Sequence, residues 1–131
     1  MIEGRCHCGA VHWRFDRLPE RATTCNCTVC RRYGSIWAYD WEGAAIHPSG
    51  ETHAYRRADS GDIEFHFCPD CGCLMWWRGH EPGEDGRTRI AVNLRMAEPG
   101  DVAAIPIFRF NGLEWNDNAV QDGRCVVDVW A

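Results

Sequence analysis

The chain has 131 residues, of which 45% are hydrophobic, and a formal net charge of −5. Its length predicts a single domain over residues 1–131, because a chain of this size can bury one substantial core but not two. The acidic balance is a poor match for nucleic acid or an anionic membrane surface, since both attract clustered basic side chains. We therefore expect neither a nucleic-acid nor a membrane partner, and the sequence leaves the oligomeric state open.

The beginning of the chain carries no sign of export. Residues 1–13 lack the apolar stretch of a secretory signal and contain two cysteines instead. No apolar run approaches the roughly 18 residues needed to cross a membrane. We expect a cytoplasmic protein.

Short segments rich in aromatic and β-branched residues recur along the chain. The first covers residues 10–15, where Val11, Trp13 and Phe15 alternate with polar side chains as in a half-buried strand. Similar segments, separated by Gly, Pro, Asp or Ser, cover residues 35–41, 52–57, 62–67, 73–77, 89–94 and 106–110. This pattern predicts an all-β (mainly β) domain.

Helical signals are few and short. Residues 98–105 are the best candidate, because Pro99 suits a first helical turn and Asp101 favours the N-terminal end of a helix. One turn of helix is also expected after Cys30. Residues 79–88 are rich in Gly and charged residues and predict an exposed loop.

The nine cysteines are bunched rather than spread. They are Cys6 and Cys8; Cys25, Cys27 and Cys30; Cys68, Cys71 and Cys73; and Cys125 alone. A disulfide framework is the alternative interpretation, but an odd count without a signal segment favours reduced thiols. Close clusters of reduced cysteines usually bind metal or take part in catalysis.

Two clusters share a Cys-Gly ending, "CHCG" at Cys6 and "CPDCG" at Cys68. A glycine there lets the backbone turn tightly and direct N–H groups at sulfur. We interpret Cys6, Cys8, Cys68 and Cys71 as the ligands of one closed, four-thiolate zinc centre. Such a centre is structural, and its binding energy contributes to folding.

Cys25, Cys27 and Cys30 remain as a second set. Three protein ligands with one open position are typical of a catalytic zinc site, in which water or a substrate thiolate completes the coordination. The alternative is a second closed site completed by Cys73 or His66. An iron–sulfur cluster fits less well, because it needs four ligands at other spacings.

Four stretches together resemble the glutathione-dependent formaldehyde-activating enzyme (GFA) family. They are "GRCHCGAVHW", "CNCTVCRRYGS", "FHFCPDCGCLMWW" and "IAVNLRM", in that order, within a region from about Gly4 to Trp115. The resemblance implies a tent-like fold of short antiparallel sheets held by zinc. It also implies two zinc ions per chain, with Cys6, Cys8, Cys68 and Cys71 on the structural ion and Cys25, Cys27 and Cys30 on the catalytic one.

The activity implied by the resemblance is that of a carbon–sulfur lyase. Its members join glutathione and formaldehyde to give S-(hydroxymethyl)glutathione, so the expected partners are a small thiol and an aldehyde. Asn26 stands where a histidine is common in the family's cysteine loop. A zinc-stabilised binding module without turnover, for a small thiol or a protein partner, is the alternative function.

The residues after Cys30 are candidates for substrate binding. Arg31 and Arg32 can pair with the carboxylates of a glutathione-like substrate, although they can equally offset the charge of the thiolates. Tyr33 is a candidate proton donor.

Several other residues near the cysteines have two interpretations. His7 and His66 can hydrogen-bond around a metal centre or simply pack. Trp76 and Trp77 can form a pocket wall or belong to the core. We expect Cys73 to be a spare thiol near the structural zinc and Cys125 to be a small buried apolar residue.

Overall fold

The computed structural model describes residues 1–59, 61–114 and 119–130. Trp115, where the family resemblance ends, lies outside the described residues. The strands are β1 (Ile2–Arg5), β2 (His12–Phe15), β3 (Ala22–Cys25), β4 (Trp37–Trp41), β5 (Ile46–Ser49), β6 (His53–Arg56), β7 (Ile63–Phe67), β8 (Leu74–Gly79), β9 (Arg89–Asn93), β10 (Pro106–Phe110) and β11 (Val120–Cys125). The prediction of a mainly-β fold is confirmed, and all seven predicted strands are present.

The helices in the described ranges are single turns. They are α1 (Cys30–Tyr33), α2 (Pro99–Val102) and α3 (Val126–Val129), with a 3-10 turn at Leu94–Met96. Helix α2 has Pro99 and Asp101 in its first turn, as the sequence predicted. Helix α3 was not predicted, and it begins after Cys125, whose N–H donates to a carboxylate oxygen of Asp128 at 2.9 Å. Cys125 is half-buried rather than fully buried, because it lies at this junction.

The strands form two sheets. The smaller has the order β1-β2-β5, and its pairs are antiparallel. The larger has the order β11-β10-β3-β4-β9-β8-β7-β6. The sheets were expected to be antiparallel throughout, but β3 and β10 pair in parallel, with Cys25 opposite Phe110. Because the two strands run in the same direction, the segment after Phe110 lies next to the cysteine loop that follows β3.

The main core lies between the two sheets. The small sheet contributes Ile2, Trp13, Phe15 and Ile46, which are at most 6% exposed. The large sheet contributes apolar side chains from its inner face, including Ala38, Met75, Trp76, Ile90, Val92 and Ile107. Burying this surface is the main favourable contribution to folding.

A second apolar cluster covers the other face of the large sheet. Successive residues of a strand point to opposite faces, so Trp76 joins the main core while Trp77 joins the second cluster. Its buried members are Cys27, Cys30, Trp37, Phe65, Leu74, Trp77 and Ala91. We call this side of the sheet the cysteine face.

None of the helices within the described ranges has the length and apolarity required to cross a membrane.

Candidate metal centres

Two cysteines near the N-terminus and two from the middle of the chain lie close together. The Sγ atoms of Cys6, Cys8, Cys68 and Cys71 all lie within 4.8 Å of one another. The Sγ of Cys8 is 3.6 Å from those of both Cys6 and Cys68. A tetrahedron with Zn–S bonds of about 2.3 Å has S···S edges of about 3.8 Å, so this group has the size of a four-thiolate centre.

Two glycine turns shape this group. Gly9 donates its N–H to the Cys6 carbonyl at 3.0 Å, and Gly72 donates to the Cys68 carbonyl at 2.8 Å. Their φ angles of 83° and 78° lie in the left-handed region that favours glycine. Both Cys-Gly endings therefore make the tight turns that the sequence predicted.

Backbone N–H groups point at the sulfurs of the same group. Val11 donates its N–H to the Sγ of Cys6 at 3.2 Å. The N–H groups of Cys73 and Cys8 lower the pKa of the Cys71 thiol to about 5. Donors aimed at sulfur stabilise thiolate, which is the form that binds metal.

Cys73 lies next to this group without belonging to it. Its carbonyl accepts the N–H of Cys68 at 3.0 Å, and burial raises the pKa of its thiol despite a hydrogen bond from the His7 N–H. This arrangement agrees with a spare thiol beside the first group, and it gives His7 a contact through its backbone.

The second group contains three cysteines. Cys25 ends β3, Cys30 begins α1, and the Sγ atoms of Cys25, Cys27 and Cys30 all lie within 4.8 Å of one another. The N–H of Cys27 points at the Sγ of Cys25 at 3.4 Å, and the N–H of Cys30 points at the Sγ of Cys27 at 3.3 Å. The sequence grouped the same three residues.

Neither alternative fourth ligand joins the three cysteines. Over the part of the chain that the structure describes, no additional Cys, His, Asp or Glu ligand atom belongs to this group. Cys73 lies beside the first group, as described above. His66 follows Phe65 on β7 and faces the main core, where its Nδ1 lies 2.8 Å from the Thr52 hydroxyl and its ring stacks on Trp76.

The thiols of Cys25 and Cys30 differ in acidity. The pKa of Cys25 is lowered to about 6, first by a hydrogen bond from the Cys30 thiol, while burial acts in the opposite direction. The N–H groups of Cys27 and Gly112 add to the lowering. The pKa of Cys30 is raised, first by its bond to Cys25 and then by burial. Cys25 therefore gives up its proton more readily than Cys30.

The segment after β10 closes one side of the second group. The Asn26 side-chain N–H₂ donates to the side-chain oxygen of Asn111 at 3.1 Å, and its own oxygen accepts the N–H of Leu113 at 3.2 Å. These bonds hold Gly112 against the cysteine loop. The sequence does not mark Asn26 or Gly112 as site residues, because the contact joins positions more than 80 residues apart.

A cation from a distant loop also reaches the cysteine loop. The Arg57 guanidinium donates to the Thr28 hydroxyl at 3.3 Å and pairs with the Asp59 carboxylate at 2.7 Å. The pKa of Arg57 is raised first by Asp59, and the charges of Cys27 and Cys30 contribute. Arg57 therefore offsets thiolate charge, a role that the sequence assigned to Arg31 and Arg32 as an alternative.

The three predicted substrate-binding residues lie on α1. Arg31 and Arg32 are exposed, and Arg32 donates to the Thr28 carbonyl at 2.7 Å, which ties it to the cysteine loop. Tyr33 is 38% exposed and its ring lies 5.5 Å from that of Phe65. Burial raises the pKa of Tyr33, so its hydroxyl is protonated at neutral pH.

Aromatic rings extend the site along the cysteine face. Trp37 packs with Cys30, and the Tyr39 ring lies 5.7 Å from that of Trp77. The outer edge of Tyr39 is exposed, but its hydroxyl lies near Thr23, and burial raises its pKa to about 12. Trp77 thus belongs to the wall of the site and Trp76 to the core.

Both groups suit a metal such as zinc. All the donors are thiol sulfurs, which favour Zn²⁺ over hard cations such as Mg²⁺ or Ca²⁺. No disulfide joins any of the nine cysteines, all of which lie in the described ranges. The first group is a complete four-sulfur set, and the second offers three sulfurs beside an aromatic surface.

Comparison with known proteins gives three findings. The family profile described as glutathione-dependent formaldehyde-activating enzyme matches residues 1–103. A curated relative from Halomonas elongata, named "Putative glutathione-dependent formaldehyde-activating enzyme", is 33% identical over 86 residues, covering 58% of this chain and 55% of the relative. The chain thus spans about half the length of that relative.

The third finding concerns the fold. A crystal structure of a Rhodobacter sphaeroides protein from structural genomics is similar, with a TM-score of 0.59 and 24% sequence identity over 80% of this chain and 98% of that one. At this identity the likeness shows a shared fold.

Proposed function

The chain belongs to the glutathione-dependent formaldehyde-activating enzyme family, and from this premise we propose that it is a zinc-dependent carbon–sulfur lyase acting on adducts of a thiol and an aldehyde. In the synthetic direction glutathione and formaldehyde give S-(hydroxymethyl)glutathione. The observation that carries the proposal is the group of Cys25, Cys27 and Cys30, which lacks a fourth ligand among the described residues. The proposal includes two zinc ions per chain, with the structural one on Cys6, Cys8, Cys68 and Cys71, and one domain over residues 1–131.

The chemistry requires a thiolate held beside an aldehyde carbon. A zinc ion on Cys25, Cys27 and Cys30 would keep the substrate thiol deprotonated and hold it in place. A bond forms between sulfur and the carbonyl carbon, the carbonyl electron pair moves to oxygen, and that oxygen takes up a proton. Cleavage of the adduct runs through the same steps in reverse.

The chain supplies the surroundings for this reaction. Tyr33 and Tyr39 both have raised pKa values, so each holds a phenolic proton on the cysteine face. Either hydroxyl can give its proton to the developing alkoxide. Arg57 offsets negative charge near the cysteine loop, while the buried Trp37 and Trp77 limit water access to that face.

Reduced cysteines also suggest where the protein works. Both groups need free thiols, and none of the nine cysteines is in a disulfide. We propose a cytoplasmic location, because thiols stay reduced in that compartment.

The test measures exchange between free formaldehyde and its glutathione adduct by NMR with ¹³C-formaldehyde. Thiols add to formaldehyde without a catalyst, so the rate is compared with buffer alone. We expect faster exchange with the zinc-loaded protein and the buffer rate with Cys27→Ser. Cys125→Ser is the matched control, because Cys125 lies outside both groups. Thiol binding without faster exchange would instead support the binding module.

A further inference from the structure

A depression lies on the cysteine face, beyond the aromatic rings of the site. Its volume is about 320 Å³, within the range typical of small-molecule sites. It is lined by Tyr39, Asp40, Trp41, Trp77, Arg89 and Ile90. We call it the outer depression. Among these lining residues, Trp77 is the one that the sequence marked as a possible pocket wall.

The outer depression shares Trp77 with the apolar cluster that contains Cys27 and Cys30. Tyr39 lies opposite Ala91, and Ala91 lies opposite Trp77, so these three form one row across β4, β9 and β8. Trp77 and Ala91 also pack in the cluster that contains Cys27 and Cys30. Tyr39 and Trp77 are therefore shared between the two regions.

Arg89 is the cation of the outer depression. Its guanidinium carbon lies 5.2 Å from the centre of the Trp77 ring, in a cation–π contact. Within residues 1–59, 61–114 and 119–130, no carboxylate forms an ion pair with Arg89. The acidic residue in the depression, Asp40, is already paired with Arg17. Arg89 is thus a positioned cation, free to bind an external anion.

The spacing suits a peptide-sized thiol. Trp37, which packs with Cys30, and Tyr39 are two residues apart on β4, and two strand residues span about 7 Å. Arg89 itself lies opposite Trp41, and its guanidinium reaches back over Trp77, which lies in the row of Tyr39. An extended chain covers about 3.4 Å per residue, so a thiol on the middle residue of a tripeptide can place a terminal carboxylate there.

We propose that the outer depression binds a carboxylate of the thiol substrate, with Arg89 as the anchoring cation and the Trp77 ring as the supporting surface. This inference rests on the proposed function and names the class of its thiol, one that carries a carboxylate on a peptide-like arm. A planar guanidinium held on a ring is suited to bidentate pairing with a carboxylate. Arg89, rather than Arg31 or Arg32, then sets thiol specificity.

The experiment titrates the cobalt-substituted protein with three thiols and follows the thiolate-to-metal absorption. Glutathione carries carboxylates, its diethyl ester lacks free ones, and cysteamine has neither carboxylate nor peptide arm. We expect glutathione to bind most tightly. Arg89→Gln should weaken glutathione binding by about fivefold to tenfold and leave cysteamine unchanged. The glutathione affinity of Arg89→Lys should lie between those of the native protein and Arg89→Gln, since lysine keeps the charge but not the planar guanidinium.

Arg14→Gln is the matched control, because Arg14 pairs with Asp16 on the small sheet. Equal binding of glutathione by the native protein and Arg89→Gln would overturn the inference. If Arg31→Gln weakens glutathione binding and Arg89→Gln does not, the inference is also overturned, and carboxylate binding is assigned to α1 instead.

A second arm separates this inference from the proposed function. S-methylglutathione keeps the carboxylates but cannot form a thiolate, and calorimetry reports its binding directly. If S-methylglutathione binds weakly and Arg89→Gln abolishes this binding, the outer depression is supported. This holds even if no thiol changes the cobalt spectrum, although an unchanged spectrum would contradict the proposed function. If all three thiols change the cobalt spectrum with equal affinity, the role of the outer depression is contradicted and the proposed function is not.

Discussion

Gly112 lies so close to Cys25 that a methyl group on its Cα would be 2.5 Å from the Cys25 sulfur. The same methyl group would be 2.9 Å from the Cβ of Cys27. Real carbon atoms do not approach this closely, so only glycine fits beside the cysteine loop. The contact lets the Gly112 N–H bond to the Cys25 sulfur.

Gly112→Ala should therefore disrupt the second group while leaving the fold in place. The added methyl group must displace either the Cys25 sulfur or the segment after β10. We expect metal analysis to show loss of the second metal, with the circular dichroism spectrum unchanged. Gly100→Ala on α2 is the control, because a methyl group there meets no atom within 4 Å. Full metal content in Gly112→Ala would contradict the assigned contact.

The two cysteine groups should respond differently to loss of a ligand. Cys71→Ser removes one sulfur from the four-cysteine group that joins the N-terminal segment to the middle of the chain, and we expect this variant not to fold stably. Cys27→Ser should fold and keep one metal per chain. Thermal unfolding measures the stability of both variants, and elemental analysis measures their metal content. If Cys71→Ser melts like the parent, the first group is not structural.

Asn26 should stabilise the segment after β10. Asn26→Ala removes both of its side-chain bonds to that segment, at a cost of about 1 kcal/mol for these exposed bonds. Hydrogen exchange should become faster at the Gly112 and Leu113 amides. Asn111→Ala removes only one of the bonds and should have a smaller effect. Unchanged exchange in Asn26→Ala would show that another contact holds the segment.

His66 should make stability fall in mild acid. Burial lowers its pKa below 6.5, and the Arg78 charge adds to this. Between 6.5 and the lower folded value, the unfolded chain binds a proton that the folded chain does not, so stability decreases as the pH falls through this window. Denaturant unfolding of the zinc-loaded protein across this range should show a weaker decrease for His66→Gln. Parallel curves for the two proteins would exclude His66 as the cause.

Much of the fold follows from local pattern. Aromatic and β-branched segments predicted seven strands, and Pro99 with Asp101 predicted α2. The strands that were missed carry weaker patterns. β1, β3 and β5 have only four residues each, and β11 contains Gly123 and three charged or amide side chains. The Pro48 of β5 is tolerated because β5 is an edge strand.

The residues of the candidate site also fall into those that local sequence patterns predicted and those that they missed. Cys-Gly endings and close spacing grouped seven cysteines as the structure does, because those signals are local. Asn26, Gly112, Arg57 and Arg89 were missed, since each acts through a partner far along the chain or across the sheet. The parallel pairing of β3 with β10 brings Gly112 to Cys25, and no local pattern in either strand indicates that pairing.

X-ray absorption at the zinc edge, with and without glutathione, tests the open three-cysteine site most directly. With one four-sulfur site and one three-sulfur site, the average should be about 3.5 sulfur ligands per zinc. Saturating glutathione should raise it to about 4, and Cys27→Ser should abolish the rise. An average of 4 sulfurs before any thiol is added, or no change on adding it, would contradict an open site at Cys25, Cys27 and Cys30.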